Sequence, residues 1–190
     1  MLDQASTDAV EAGLAWYPIA RRWCKVKARE YGVRPVVVAA LISALSPRNK
    51  WERNLYDAEQ VLINYAEGFQ HPFNIVSGTF RRNVEKAWNV VTLDKPALVT
   101  TSPKTRAFVD NIINPVSKRV TVDVWAYRIC QGDMTLGAVS FTDKQYTTYA
   151  SAYREVAVEH KLKACEVQAI TWVEARAREK QSAMTQMRLL

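Results

Sequence analysis

The chain has little of what builds metal centres and disulfide scaffolds. Histidine occurs twice, as His71 and His160, and cysteine three times, as Cys24, Cys130 and Cys165, far apart and without a C-x-x-C pair. That excludes a multi-histidine metal centre, a zinc ribbon and a disulfide framework; all three thiols are expected reduced and buried in helices, and neither metal nor cofactor is expected. Six glycines and seven prolines in 190 residues are too few for a loop-rich β-sandwich or a low-complexity linker. A basic-then-apolar leader is missing, since Asp3 and Asp8 fall at the N-terminus, and no apolar run approaches the length of a membrane span. A soluble, cytoplasmic protein is expected, with no membrane partner and a monomeric state.

Apolar residues make up 48% of the chain and aromatic residues 10%, enough to fill a core. Lys and Arg number 26 against 19 Asp and Glu, a net charge of +7, which makes a polyanion the first partner to consider. The periodicity is helical almost throughout. Val10, Leu14, Tyr17, Trp23 and Val26 recur along residues 8–31 with Gly32 as a stop, and Arg21, Arg22, Lys25, Lys27 and Arg29 make that segment either a solvated face or a phosphate-facing one. Pro35 opens VVVAALISAL, residues 36–45, which has no polar face and reads as the central helix of a bundle. Further helices are expected at 51–67, 80–92 capped by Thr79, a short piece at 97–98, one opening at Ser102 and Pro103, one following Asp123 to about Cys130, 143–160 capped by Thr142, and 163–180, with a tail from Gln181 expected to fray. Residues 120–125, VTVDVW, alternate as an extended stretch would, but have no partner strands. The fold class is all-α, with eight to ten helices in one domain spanning 1–190.

Chemistry concentrates in residues 98–127. Lys104 falls in the first turn of a helix that opens at Ser102 and Pro103, where the positive end of the macrodipole disfavours an ammonium. Burial in a cleft would act the same way and favour a free amine nucleophile. Nineteen residues on, Asp123 sits between apolar residues at a helix start. From spacing alone Lys104 reads first as a surface lysine and Asp123 as an ordinary N-cap. A second cluster follows the apolar helix: Arg48, Asn49, Trp51, Arg53 and Asn54 place donors and an aromatic ring at its end, either as packing or as a base pocket or phosphate clamp.

These segments resemble the helix-hairpin-helix DNA glycosylases. L-V-T-T-S-P-K-T, residues 98–105, is similar to that family's hairpin L-P-G-x-G-x-K-T, and VTVDVWAYRI, residues 120–129, to its V-D-T-H-x-x-R-[VI]. VVVAALISALSPRNKWERNL resembles the family's apolar helix and S-Q-Q-T turn; KAW at 86–88 and QAITW at 168–172 fall where further family helices would lie. The likeness covers about residues 35–175. It implies an all-α fold of two packed lobes with a base-flipping cleft between them, Lys104 as the amine attacking sugar C1′, and Asp123 as the carboxylate stabilising a cationic sugar. Trp51 and Trp125 are rings suited to holding the flipped base, and Arg48 and Asn49 at the end of the buried helix would face it as a base pocket or phosphate clamp. Thr100, Thr101 and Ser102 of the hairpin would contact DNA, with Lys118 and Arg119 either joining them or lying on a solvated loop.

The hairpin glycines of the family are Thr100 and Ser102 here, and Val124 and Trp125 stand where its motif has the His. Three cysteines cannot supply its four-cysteine iron–sulfur loop. The first expectation is a DNA glycosylase, with or without lyase activity, acting on a modified or damaged base. A second is a transferase of the same fold that hypermodifies a flipped pyrimidine in bacteriophage DNA without excising it. A third is a DNA-binding protein that keeps the fold as a scaffold.

Overall fold

The computed structural model describes residues 1–72, 75, 77–137 and 140–188. Among these it contains eight α-helices, two short 3₁₀ turns at Leu2–Gln4 and Pro96–Leu98, and no β-strand. The helices are α1 (Thr7–Glu30), α2 (Pro35–Leu45), α3 (Trp51–Ala66), α4 (Arg81–Thr92), α5 (Pro103–Ile113), α6 (Val124–Gln131), α7 (Asp143–Glu159) and α8 (Ala164–Arg188). The all-α expectation holds. The chain divides into two compact units, one of Met1–Ile19 with Val116–Leu190 and one of Ala20–Pro115. The first division falls within α1, one residue after Pro18, whose missing N–H leaves the Leu14 carbonyl without its helical donor.

The unit of Ala20–Pro115 is built around α2, which packs against α3, α4 and α5. Nine consecutive residues, Val37 to Leu45, are buried, which is what a helix without a polar face requires. Val61 and Leu62 from α3, Val84, Ala87, Trp88 and Val91 from α4, and Ala107, Val109 and Ile112 from α5 complete the core. Each buried aliphatic side chain here contributes about 1.5–3 kcal/mol relative to exposure. Gly32 and Gly68, after α1 and α3, have φ of 66° and 77°, the left-handed geometry that ends a helix at little cost to glycine. Arg21, read as either solvated or phosphate-facing, instead caps α5: its Nε donates to the Ile112 carbonyl at 2.7 Å and its guanidinium also to that of Asn111. A cation there meets the negative end of the helix dipole.

In the other unit Val120, Val122, Ala126, Ala150, Tyr153, Ala157 and Val167 form the core, with α6, α7 and α8 packed on one another. Ser6 starts α1 by accepting the Ala9 N–H, and its own N–H and hydroxyl donate to Glu174 of α8. Residues 120–123 adopt no strand pairing; two of their backbone groups are held by a side chain. The Tyr146 hydroxyl of α7 donates to the Val120 carbonyl at 2.6 Å and accepts the Val122 N–H at 3.2 Å.

Several local expectations need correction. The buried positions of α1 are Ala9, Gly13, Tyr17, Ala20, Cys24 and Ala28, mostly small residues, while Leu14 and Val26 are exposed. Gly13 lies against Ile170 of α8, so close that a Cβ on it would sit 2.5 Å from the Ile170 Cα. Close approach selects small side chains on this face, and the large apolar residues turn elsewhere. Cys24 and Cys165 are buried, and burial pushes the Cys24 thiol up to about 12, but Cys130 is exposed near the end of α6, of which only Ala126 is buried. Phe80, not Thr79, is the N-cap of α4; the Thr79 hydroxyl donates to the Pro47 carbonyl and accepts from Asn83. Helix α8 runs to Arg188, past the boundary expected at 180, through Gln, Ala, Met and Arg residues of good helix propensity. Residues 189 and 190 of the tail lie outside the described residues.

Candidate functional site

Lys104 is the second residue of α5, in the Ala20–Pro115 unit. Ser102 caps this helix: its Oγ accepts the Thr105 N–H at 3.2 Å, and its own N–H donates to Thr105 Oγ1 at 3.3 Å. The preceding turn carries Thr100 and Thr101, and Arg106 donates back to the Thr100 carbonyl. None of Thr100, Thr101 and Ser102 has positive φ, so the turn ahead of α5 closes without the left-handed backbone that glycines would supply. Lys104 is exposed rather than buried.

Asp123 belongs to the other unit and is the N-cap of α6, its Oδ1 accepting the Ala126 N–H at 2.9 Å. It is half-buried, and the three residues that deliver it, Val120, Thr121 and Val122, are buried. Besides the Tyr146 clamp, the Tyr17 hydroxyl of α1 bonds Gln168 Oε1 at 2.9 Å and Thr121 Oγ1 at 3.2 Å. Side chains from α1, α7 and α8 therefore hold the segment ahead of the carboxylate. Trp125, two residues on, is half-buried, with the guanidiniums of Arg128 and Arg176 5.3 and 5.0 Å from its ring centroid. The ring expected to stack on a base already stacks with two cations. Lys118 and Arg119, in this same unit, are both exposed; the Lys118 carbonyl accepts from Arg154.

The turn after α2 is organised by a residue that was not singled out in the sequence. Asp57 of α3 has no exposed side-chain surface. Its Oδ1 accepts from Arg53 Nε at 2.7 Å, and its Oδ2 from Asn49 Nδ2 at 2.9 Å and from Ser77 Oγ and the Gly78 N–H at 2.8 Å each. Burial alone would raise its carboxyl; the hydrogen bonds from Gly78, Arg53, Asn49 and Ser77 outweigh that and hold it below the ordinary carboxylate value. Asn49, expected to read a base edge, spends its amide N–H groups on Asp57 and the Leu45 carbonyl, and its Oδ1 is buried. Arg48 is exposed in the left-handed region, φ 59°, with its guanidinium 5.1 Å from the Phe80 ring centroid. Arg82 lies 5.2 Å from the same ring, and Phe80 is 40% exposed. Trp51 is the first residue of α3 and half-buried. A signal for Asp57 was present: it falls on the face that carries Ala58, Val61 and Leu62, where a carboxylate needs partners.

Over residues 1–180 the sequence matches a family of unknown function, DUF7178. The chain belongs to that family. No curated protein and no solved structure matches this DUF7178 chain. Among the described residues no group of three or more His, Cys, Asp or Glu side chains is placed to hold a metal ion, and no helix is long and apolar enough to cross a membrane. A shallow depression of about 630 Å³ follows the exposed face of α7 past Asp143, Thr147, Ser151 and Glu155. One helix lines it, and none of the residues expected to act on DNA contributes to it.

Proposed function

We propose that the chain is a DNA-base-processing enzyme of the helix-hairpin-helix glycosylase type, acting on a flipped, modified or damaged base through Lys104 and Asp123. The observation that carries this reading is the Asp123 carboxylate, fixed as the N-cap of α6 on a segment that Tyr146 clamps at Val120 and Val122 and Tyr17 at Thr121. A carboxylate held this way stabilises positive charge at a reaction centre without reorganising. A capped hairpin with Lys104 in the first turn of α5 agrees with it, as do the helical content and the net charge of +7.

In this reading Lys104 Nζ gives up a proton to water and forms a bond to C1′, releasing a second proton from the nitrogen, while the C1′–N bond to the base breaks. The bonding electron pair leaves with the base, which takes up a proton, and Asp123 stabilises the positive charge on the sugar as it develops. Sugar-ring opening then yields an imine to Lys104 that water hydrolyses. Arg48, Lys118 and Arg119 supply phosphate contacts, which are salt-sensitive because each releases a condensed counterion.

The test incubates the full-length protein with genomic and phage DNA, analyses released bases and digested nucleosides by mass spectrometry, and traps the imine on abasic DNA with borohydride. A free base together with a trapped adduct that disappears in Lys104→Ala supports the proposal. A heavier nucleoside without released base overturns excision in favour of transfer to the base. DNA binding with neither product leaves the scaffold reading.

A further inference from the structure

The turn at residues 46–50 and the one at 77–80 are separated by all of α3, yet they are joined at three points. Asn49 of the first turn, and Ser77 and Gly78 of the second, converge on Asp57 Oδ2. Thr79 donates to the Pro47 carbonyl at 2.7 Å. Arg48 lies over Phe80, which Arg82 also covers. Asn49 packs so tightly on the second turn that a Cβ at Gly78 would stand within van der Waals overlap of its Oδ1. Arg48, next to Asn49, is held in a left-handed conformation that a non-glycine residue rarely adopts without such support.

Asp57 is suited to this because an ionised carboxylate only accepts, and all four of its partners donate. An amide in its place would turn an NH₂ toward one set of donors and break at least one tie. The surface held in register consists of two guanidiniums seated on one partly exposed aromatic ring, a combination that presents fixed cations to phosphates.

We propose that Asp57 is a positioning residue: its buried carboxylate locks the two turns together so that Arg48, with Phe80 and Arg82, forms one contact surface for a DNA strand. This rests on the DNA reading given above and adds to it the residue that sets the geometry.

The experiment is a double-mutant cycle read by DNA affinity. Fluorescein-labelled 20-base-pair duplex and the matching single strand are titrated with full-length wild type, Arg48→Ala, Asp57→Asn and the double variant over a series of salt concentrations, with folding checked by circular dichroism. Loss of one phosphate contact should weaken binding about five- to tenfold near 0.1 M salt and reduce the salt slope by about one. Asp57→Asn should reproduce that loss although it touches no DNA, and the double variant should be no weaker than Arg48→Ala. If Asp57→Asn does not fold, Ser77→Ala, which removes one donor from the same oxygen, should give a smaller loss that also vanishes in the Arg48→Ala background. Losses that add in the double variant, or wild-type affinity in Asp57→Asn and Ser77→Ala while Arg48→Ala is weakened, overturn the positioning role alone. Absence of DNA binding by wild type at low salt overturns this proposal together with the DNA reading.

Discussion

Gly13→Ala sets two effects of opposite sign against each other. On propensity alone, replacing a glycine inside a helix such as α1 by alanine stabilises by about 1 kcal/mol. Contact geometry opposes this. A Cβ at Gly13 would lie 2.5 Å from Ile170 Cα and 2.6 Å from both its N and its Cγ1, against ordinary contact beginning at 3.4 Å. Two of those three atoms are backbone, so no rotamer change clears them, and α1 would have to move away from α8 by about 1 Å to restore a carbon–carbon contact. That shift also stretches the Tyr17–Gln168 hydrogen bond and the Trp16–Trp172 edge contact, now at 6.2 Å between centroids. Overpacking of this kind costs about 1–3 kcal/mol, and the upper part of the range applies where backbone must give way. After the propensity gain, the expected net destabilisation is about 1–2 kcal/mol, or a fall in Tm of about 2–8 °C for a chain of this size. Urea unfolding followed by circular dichroism should show a lower midpoint with an unchanged slope. Trimming the neighbour in Gly13→Ala/Ile170→Ala should give no rescue. Gly137→Ala, which meets nothing within 4 Å, should be neutral or slightly stabilising. A Gly13→Ala protein as stable as wild type would refute the account of close helix approach.

Tyr146→Phe removes the partner of both the Val120 carbonyl and the Val122 N–H and should cost about 2–4 kcal/mol in urea unfolding, since both groups belong to buried residues. Asp123→Asn keeps a side chain that caps helices about as well as Asp, so stability should change by less than about 0.5 kcal/mol; base release should fall by about a hundredfold or more. Because Lys104 is exposed, Lys104→Ala should leave the unfolding midpoint within about 0.5 kcal/mol of wild type while abolishing borohydride trapping. The Asp57 carboxyl is held below its ordinary 3.8 in the folded chain. Its contribution to stability is therefore complete above that value and is lost as pH falls through the lowered one. Asp57→Asn should flatten the acid limb of a stability-against-pH profile below about pH 4, and an unchanged limb would count against the network.

Features set by neighbouring residues were legible in the sequence. VVVAALISAL has no polar residue to turn outward, and Val37 to Leu45 are buried accordingly. Ser102 with Thr105, Thr142 with Gln145, and Asp123 ahead of α6 are caps whose partners lie three residues on, so each helix start could be read locally. What escaped depends on partners distant in sequence. The helical spacing of large apolar residues points to them as the buried face of α1; at Gly13 the approach of Ile170, far along the chain, leaves no room for a side chain. VTVDVW alternates like a strand, yet its backbone partner is a hydroxyl on α7, which no local pattern announces. Asn49 reads as available for recognition because the sequence marks Asp57 as a carboxylate that needs partners but does not say that Asn49, Ser77 and Gly78 are those partners. At the candidate site, residue types and helix starts could be read, but not the side chains that hold them.

The interleaving of the two units has a consequence for synthesis. Ala20–Pro115 is a continuous stretch whose core is complete once α5 has left the ribosome. Met1–Ile19 emerges first, but its partners Thr121, Gln168, Ile170 and Glu174 come last. Met1–Ile19, made before that unit, therefore waits longer for its place, with the Gly13 face open until α8 is made, and Asp123 cannot be set until Tyr146 of α7 arrives. Domains that fold in order of emergence protect their N-termini first. Ribosome-arrested chains of this protein should instead become protease-resistant within 20–115 well before 1–19, and chains ending ahead of α8 should present that N-terminal face to chaperones.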